Sequence, residues 1–341
     1  MELLMDKDIF SDVTSYVETV KQEMHASGSA LVIIKDNKII HEWYSGTHHF
    51  EKGAKKVDDT SRFNVYSVRV TYVGLAVAIA IHEGLLSLDD RVSDHLNEYD
   101  VDILGNTTIK HLLTRCTGLK FEKNMVSRVF DLETNIEGKK PDLLAKILYN
   151  ATGKTVNEVL TNKVIKPLHL TNTGWVTEGT DNLVCDINLS TGYPTLRMGS
   201  NIGDERNLYV SARELALWGN LHLNKGRHEG EQILPRNIFD LATSIQSPDS
   251  LPKQLPKFGF LWWIKDNEVT VNYNEFGSDL PDESYQILGA SGCSCTVIPK
   301  FNMVAVRMYN SIDAYENLGF DYIKDIQEFG NLLVQSANKL N

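Results

Sequence analysis

Apolar positions follow three successive patterns along the chain. Residues 9–27 repeat them at helical spacing with charged positions interleaved, which predicts an amphipathic helix. Residues 29–44 switch to strand composition: two β-rich runs, 30–34 and 39–44, flank the turn-forming pair Asp36-Asn37 and predict a hairpin. A polar loop covers residues 46–62. Residues 71–84 then read as a helix that is apolar on nearly every face, from Val70, Tyr72 and Val73 through Ile79 and Ile81. A helix apolar all round is buried all round, so this one is central, with Gly84 as its stop and Ser67 at its N-terminal end.

Residues 108–224 read as mainly helical, with runs at 141–149 and 155–165 around the turn Thr152-Gly153-Lys154 and at 211–223 behind Ser211 as N-cap. After Ile233 the pattern turns to strand at 258–264, 269–273, 293–298 and 303–308, and a final helix is predicted over 315–333. No internal repeat or low-complexity segment is visible. Strands at both ends with helices between them predict an α/β (α+β) fold. An antiparallel sheet flanked by helices would come from residues 1–66 and 233–341, and a mainly helical lobe, 67–232, would be inserted between them within one domain of 341 residues.

Composition narrows the partners. A net charge of -11 disfavours nucleic acid and anionic membrane surfaces, both of which call for a basic patch. The N-terminus shows no basic region followed by an apolar run, and the longest apolar run, 73–81, falls well short of the roughly 18 residues a membrane span needs. A soluble cytoplasmic protein is the expectation. The four cysteines, Cys116, Cys185, Cys293 and Cys295, form no C-x-x-C pair and no ligand cluster with histidine, so neither a metal site nor a cofactor is implied.

The chemistry lies in a series of segments. Residues 67–90 carry Ser67, the apolar helix and the run Glu83-Gly84-Leu85-Leu86-Ser87-Leu88-Asp89-Asp90. Residues 108–119 read TIKHLLTRCTGL, 165–175 contain Lys166-Pro167-Leu168 and Thr173-Gly174-Trp175, and 211–216 read SARELA. Phe258 to Trp263 and Gly289 to Pro299 complete the series. In this order the segments resemble the nucleophile helix, TIRHLLTHTSGL, KPLGMKDTGW, STADDLA, YGYGW and last motif strand of the serine β-lactamase and penicillin-binding-protein family, in its class C-related branch.

The resemblance implies serine acyl transfer, in which a hydroxyl attacks an amide or ester and an acyl-enzyme is then released by water or an amine. Ser67 matches the nucleophile. Val70 stands where the lysine of S-x-x-K belongs, one turn along the same face of a helix. The Y-x-N motif falls on Ile136-Glu137-Gly138, and the K-T-G or H-x-G motif on Ala290-Ser291-Gly292. Val70, Ile136, Gly138, Ala290, Ser291 and Gly292 are therefore expected to line the cleft at altered positions. The oxyanion hole implied by the family uses the backbone N–H groups of Ser67 and Cys293, and backbone donors survive substitution.

Other residues near the motifs read as follows. Arg69, two positions on, lies about 160° around a helix from Ser67 and stays protonated. Thr71 is in hydrogen-bonding reach of Ser67 without the basicity to take its proton. Ser67 is open to a second reading as a helix N-cap. Glu137 reads as a solvated loop carboxylate or a replacement base, Cys293 as a small buried hydrophobe or an alternative nucleophile, and His111 as structural. Of Trp262 and Trp263, one is expected to face the core and the other to border the cleft. Two functions are compatible with these residues: a catalytically impaired protein whose cleft binds a small-molecule or peptide-like ligand, or a serine hydrolase with unconventional activation of Ser67. Oligomeric state is open.

Overall fold

A computed structural model describes residues 9–122, 125–269 and 274–340. The predicted hairpin forms as β1 (Gly28–Lys35) and β2 (Lys38–Gly46). Asp36 and Asn37 both take positive φ in its turn, the conformation that Asp and Asn tolerate best after glycine. The arm β3 (Arg62–Asn64) leads into a 3-10 turn, Tyr66–Arg69, and then the central helix α2 (Val70–His82), preceded in the chain by α1 (Ser11–Glu23).

Five C-terminal strands complete the main sheet. With β4 (Thr173–Trp175) and β5 (Leu208–Ser211) assigned to the middle of the chain, these are β6 (Lys257–Phe258), β7 (Trp263–Ile264), β8 (Tyr285–Leu288), β9 (Ser294–Ile298) and β10 (Met303–Tyr309). The seven-stranded order is β6-β7-β8-β9-β10-β1-β2, antiparallel at every pairing. Chain ends thus meet in one sheet, with Val32 opposite Val306. The strand expected over 258–264 is broken because Leu261 takes a positive φ of 65°. The strand expected over 269–273 lies largely outside the described residues, and Val269 is not in a strand.

The sheet is covered on both faces. Side chains alternate along a strand. Arg307 and Tyr309 of β10 meet α5 (Tyr322–Asn338) and α1, while Val304 and Cys295 meet α4 (Ala212–Leu223) at Gly219. Any Cβ at Gly219 would come within 2.6 Å of Val304, so glycine sets that helix-to-sheet spacing. Helix α4 falls within the 67–232 range expected as a helical lobe, and it lies on the sheet. Ser211 caps it as predicted, accepting from the Glu214 N–H. The final helix is two: Gly319, at φ 69°, separates Ala314–Leu318 from α5.

Helix α2 is buried from Val70 to Ala80. Tyr72 stacks on Trp218 of α4 with ring centroids 3.7 Å apart, and the Trp218 indole donates to Thr71 Oγ1 at 3.1 Å. At Gly74 an added Cβ would sit 2.6 Å from the Phe260 carbonyl. Helix α3 (Pro141–Thr152) packs on the other side of α2. The 108–224 region is not wholly helical: β4 and β5 pair with β3 into a three-stranded sheet, β3-β5-β4, which holds the chain just before Ser67. Among the described residues no helix is long and apolar enough to cross a membrane.

Candidate active site

Ser67 sits inside the 3-10 turn, one residue after a strained backbone position. Tyr66 takes φ 46°, a conformation uncommon for a bulky side chain and costing on the order of 1–3 kcal/mol. The surroundings hold it there. Asn64 Oδ1 accepts from the Tyr66 N–H at 3.1 Å, and Asn64 Nδ2 donates to the Arg206 carbonyl at 3.1 Å. The Tyr66 hydroxyl donates to Asp186 Oδ2 at 2.6 Å. Burial pushes the Asp186 carboxyl up to about 7, against the opposing effects of the Tyr66 hydrogen bond and Arg197. The reading of Ser67 as a helix N-cap is not met. Helix α2 starts behind Arg69 with no side-chain cap, because the tighter turn intervenes.

The Ser67 side chain opens on a cavity of about 480 Å³. Its wall is drawn from four distant stretches of chain: Tyr66, Ser67, Arg69 and Val70; Lys139, Pro141 and Asp142; Arg197, Met198, Asp204, Glu205 and Arg206; and Ala290. Of the altered motif positions, Val70 and Ala290 line it. Ile136, Gly138, Ser291 and Gly292 are not among its lining residues. Ile136 instead packs on Cys116, Leu251 and Leu255, Ser291 is fully buried beneath the turn, and Gly292 faces the Tyr309 ring and Met24.

Among the described residues the Ser67 and Cys293 backbone N–H groups find no acceptor within the protein. The two stretches are pressed together: a Cβ at Gly289 would lie 2.5 Å from the Val65 carbonyl. Cys293 as an alternative nucleophile is overturned. Its thiol is buried, points at the Tyr309 carbonyl at 3.2 Å, and burial pushes it up to about 11, where no useful thiolate forms at neutral pH.

Glu137 is no replacement base. Its carboxylate accepts from the Thr117 and Gly118 N–H groups at 3.1 and 2.8 Å and pairs with Lys140 at 2.6 Å, pinning the 115–118 loop. Thr71 is likewise committed: its hydroxyl donates to the Val68 carbonyl at 2.9 Å while accepting from Trp218. His111 is structural, accepting on Nδ1 from the Thr108 N–H and meeting Glu133 through Nε2 at 2.7 Å. Both Trp262 and Trp263 are buried, and neither borders the cavity.

Two residues emerge that periodicity did not single out for the site. Arg69 lines the same cavity as Ser67. The α-helical rotation that turned it away does not apply in a 3-10 turn, which advances by about 120° per residue, and its stem is long. It is 6% exposed, its Nε and Nη1 are buried without a partner, and burial together with neighbouring Arg206 pushes it down to about 10. Lys139, immediately after the Y-x-N positions, is half-buried in the cavity wall. Burial lowers its pKa, Arg115 adds to that, and Glu275 opposes it. In the sequence, only the proximity of Lys139 to Ile136-Glu137-Gly138 and of Arg69 to Ser67 hints at them.

A fold of an antiparallel sheet with a serine presented at the head of a buried helix, beside a strand turn, is that of the serine acyl-transfer enzymes. The beta-lactamase family model matches residues 13–327, and the chain belongs to that family. It is 38% identical to "Uncharacterized protein BpOF4_21049" of Alkalihalophilus pseudofirmus, over 95% of this chain and 96% of that protein. It is 23% identical to Protein flp of Staphylococcus aureus over 87% of this chain, which spans only 65% of that longer protein. Among solved structures, "EstCE1, a hydrolase with promiscuous acyltransferase activity" shares the fold at a TM-score of 0.75 and 18% identity, covering 96% of this chain and 99% of that one. A penicillin-binding-protein homolog from Caulobacter crescentus does so at 0.70 and 15%, covering 94% and 96%.

Proposed function

We propose that this protein is a catalytically impaired member of its family whose cleft binds a small-molecule or peptide-like ligand without efficient turnover. The observation that carries this reading is the absence of any proton acceptor on Ser67: its hydroxyl makes no hydrogen bond among the described residues. A serine hydroxyl is a weak nucleophile unless a neighbouring base takes its proton. By the order of the motifs Val70 stands for the family's lysine and Ala290 for its lysine or histidine, both lining the cavity, while Ile136, matched to its tyrosine, lies outside it. Where such groups act as a unit, losing one costs on the order of 10⁴ or more in rate. A cytoplasmic location goes with this proposal.

Lys139 supports a second reading, acyl transfer with an unconventional base. It lines the same cavity as Ser67, and burial favours its neutral form, the form a base needs, against the opposing charge of Glu275. Intact-mass spectrometry after exposure to a fluorophosphonate separates the two. Impaired binding predicts no adduct. An adduct lost in both Ser67→Ala and Lys139→Met would replace this reading with the second one.

A further inference from the structure

Arg69 carries a charge that no hydrogen-bonded carboxylate answers among the described residues; Asp142 and Asp204 act on it only from a distance. Two of its three guanidinium nitrogens are buried and unpartnered, and the group lies against a cavity. Buried cations in folded proteins are paired or otherwise compensated, because an isolated one is costly. The guanidinium spreads its charge over a planar fork that fits a carboxylate or phosphate along an edge. The cavity lining holds four cationic side chains against three carboxylates, Asp142, Asp204 and Glu205. Glu275 acts on Lys139 and Asp186 on Arg197 from outside that lining, which leaves Arg69 as the buried cation of the cavity without a hydrogen-bond partner.

A second feature bounds what the anion is attached to. Asp142 and Asp204 also line an adjoining groove of about 580 Å³, so the two spaces share a wall. Beyond those two acids the groove is mostly apolar, lined by Tyr99, Leu143, Tyr149, Val156 and Ile202, and its one cation, Lys146, is already paired with Glu98 at 2.5 Å. Tyr149 and Ile202 are 53% and 42% exposed there. Backbone contact fixes its far side: the Asn157 N–H donates to the Ile202 carbonyl at 3.2 Å, and Gly203 lies so close that a Cβ would meet Val156 at 2.7 Å.

We propose that the Ser67 cavity takes an organic monocarboxylate, its carboxylate held on Arg69 and its apolar arm running past Asp142 and Asp204 into the groove of Tyr149 and Ile202. The inference rests on the reading of this cavity as a ligand site and names the ligand class. Recognition runs through the residue two positions beyond the serine, so it does not depend on the altered strand motif at Ala290. Arg206 and Lys139 reinforce the field at the carboxylate without contributing its principal contact.

The test is calorimetric titration of the full chain with phenylbutyrate, its neutral isostere phenylbutanamide, acetate and inorganic phosphate. Phenylbutyrate is expected to bind about tenfold to a hundredfold more tightly than the amide, the range of a hydrogen bond to a charged group. Acetate, lacking the arm, and phosphate, carrying excess charge, are both expected to bind more weakly than phenylbutyrate. Arg69→Met should erase the preference for carboxylate over amide, and Ile202→Asp should weaken phenylbutyrate while leaving acetate unchanged. Both variants are checked for a cooperative melt; Arg206→Gln, at an exposed side chain, provides a further probe and should reduce carboxylate affinity several-fold. Equal binding of amide and carboxylate, tighter binding of phosphate, unchanged preference in Arg69→Met, or no binding by any of the four overturns the proposal. Repeating the titration in Ser67→Ala keeps the two readings apart. Binding retained there, alongside hydrolysis of a phenylbutyrate ester by the unmodified chain, would overturn impaired catalysis and leave the carboxylate site standing.

Discussion

Two buried arginines in this molecule meet opposite fates. Arg307, in the middle of β10, is fully buried, and both its terminal nitrogens donate to the Asp325 carboxylate of α5. Tyr16 of α1 donates to the same carboxylate at 3.1 Å, so one ion pair ties sheet and both helices together. Burial pulls the Arg307 pKa down, and the Asp325 charge more than reverses it. Arg69 is nearly as buried, yet among the described residues no carboxylate pairs with it; Asp142 and Asp204 act only from a distance, and burial pushes its pKa down to about 10. The Arg307 charge is met by a carboxylate inside the fold. Beside Ser67, Nε and Nη1 of Arg69 have no hydrogen-bond partner among the described residues.

The contrast breaks most visibly at Asp325. Asp325→Ala strands the Arg307 charge in the core and should cost about 3–5 kcal/mol in urea unfolding. A loss near zero would mean that the pair is dispensable and that the difference between the arginines is not energetic.

Asp186 sharpens the comparison through pH. Its folded-state pKa, about 7, lies above the unfolded value. Between about pH 4 and pH 7 the folded protein keeps a proton that the unfolded chain gives up, so this group's contribution to stability falls as pH rises through that window. Asp186→Asn keeps an acceptor for the Tyr66 hydroxyl and removes the titration. It should match the unmodified protein at about pH 4 and exceed it at about pH 8 by on the order of 2–4 kcal/mol. Parallel thermal melts across that range check it, and identical curves would show that Asp186 is ionised without penalty.

Arg69→Met should act with the sign opposite to Asp325→Ala. Removing a buried charge that lacks a hydrogen-bonded counter-ion relieves its desolvation, and stability without ligand should rise by about 1 kcal/mol. A clear loss of stability would assign Arg69 a structural role. The smallest effect is expected at the surface pair Lys253 and Glu268, 3.2 Å apart with both side chains more than half exposed. Lys253→Ala should change unfolding by less than about 0.5 kcal/mol.

Much of the frame was legible along the chain, and for local reasons. The hairpin announces itself through Asp36-Asn37, the central helix through its unbroken apolar run, and α4 through Ser211 at its cap. The C-terminal strands at 293–298 and 303–308 fall within one residue of their expected ends. What misled was a change of local geometry. Leu261 at positive φ breaks a run that reads as one strand, Gly319 divides the last helix, and a 3-10 turn replaces the helical start assumed for Ser67 and Arg69. The short strands β4 and β5 have too few residues to show a period of two.

The sequence by itself determined that this chain folds around a buried helix with Ser67 at its N-terminal end, and that its motif segments run in the order of the family. Periodic burial and ordered motifs are properties of adjacent residues, so they can be read one segment at a time. Only the tertiary structure decided which residues stand around that serine. Arg69, Lys139, Arg206 and Ala290 come from stretches up to more than two hundred residues apart, and they share a cavity because the sheet and α2 bring those stretches together. Whether a charge is answered depends on every neighbour in space, and no local pattern reports that.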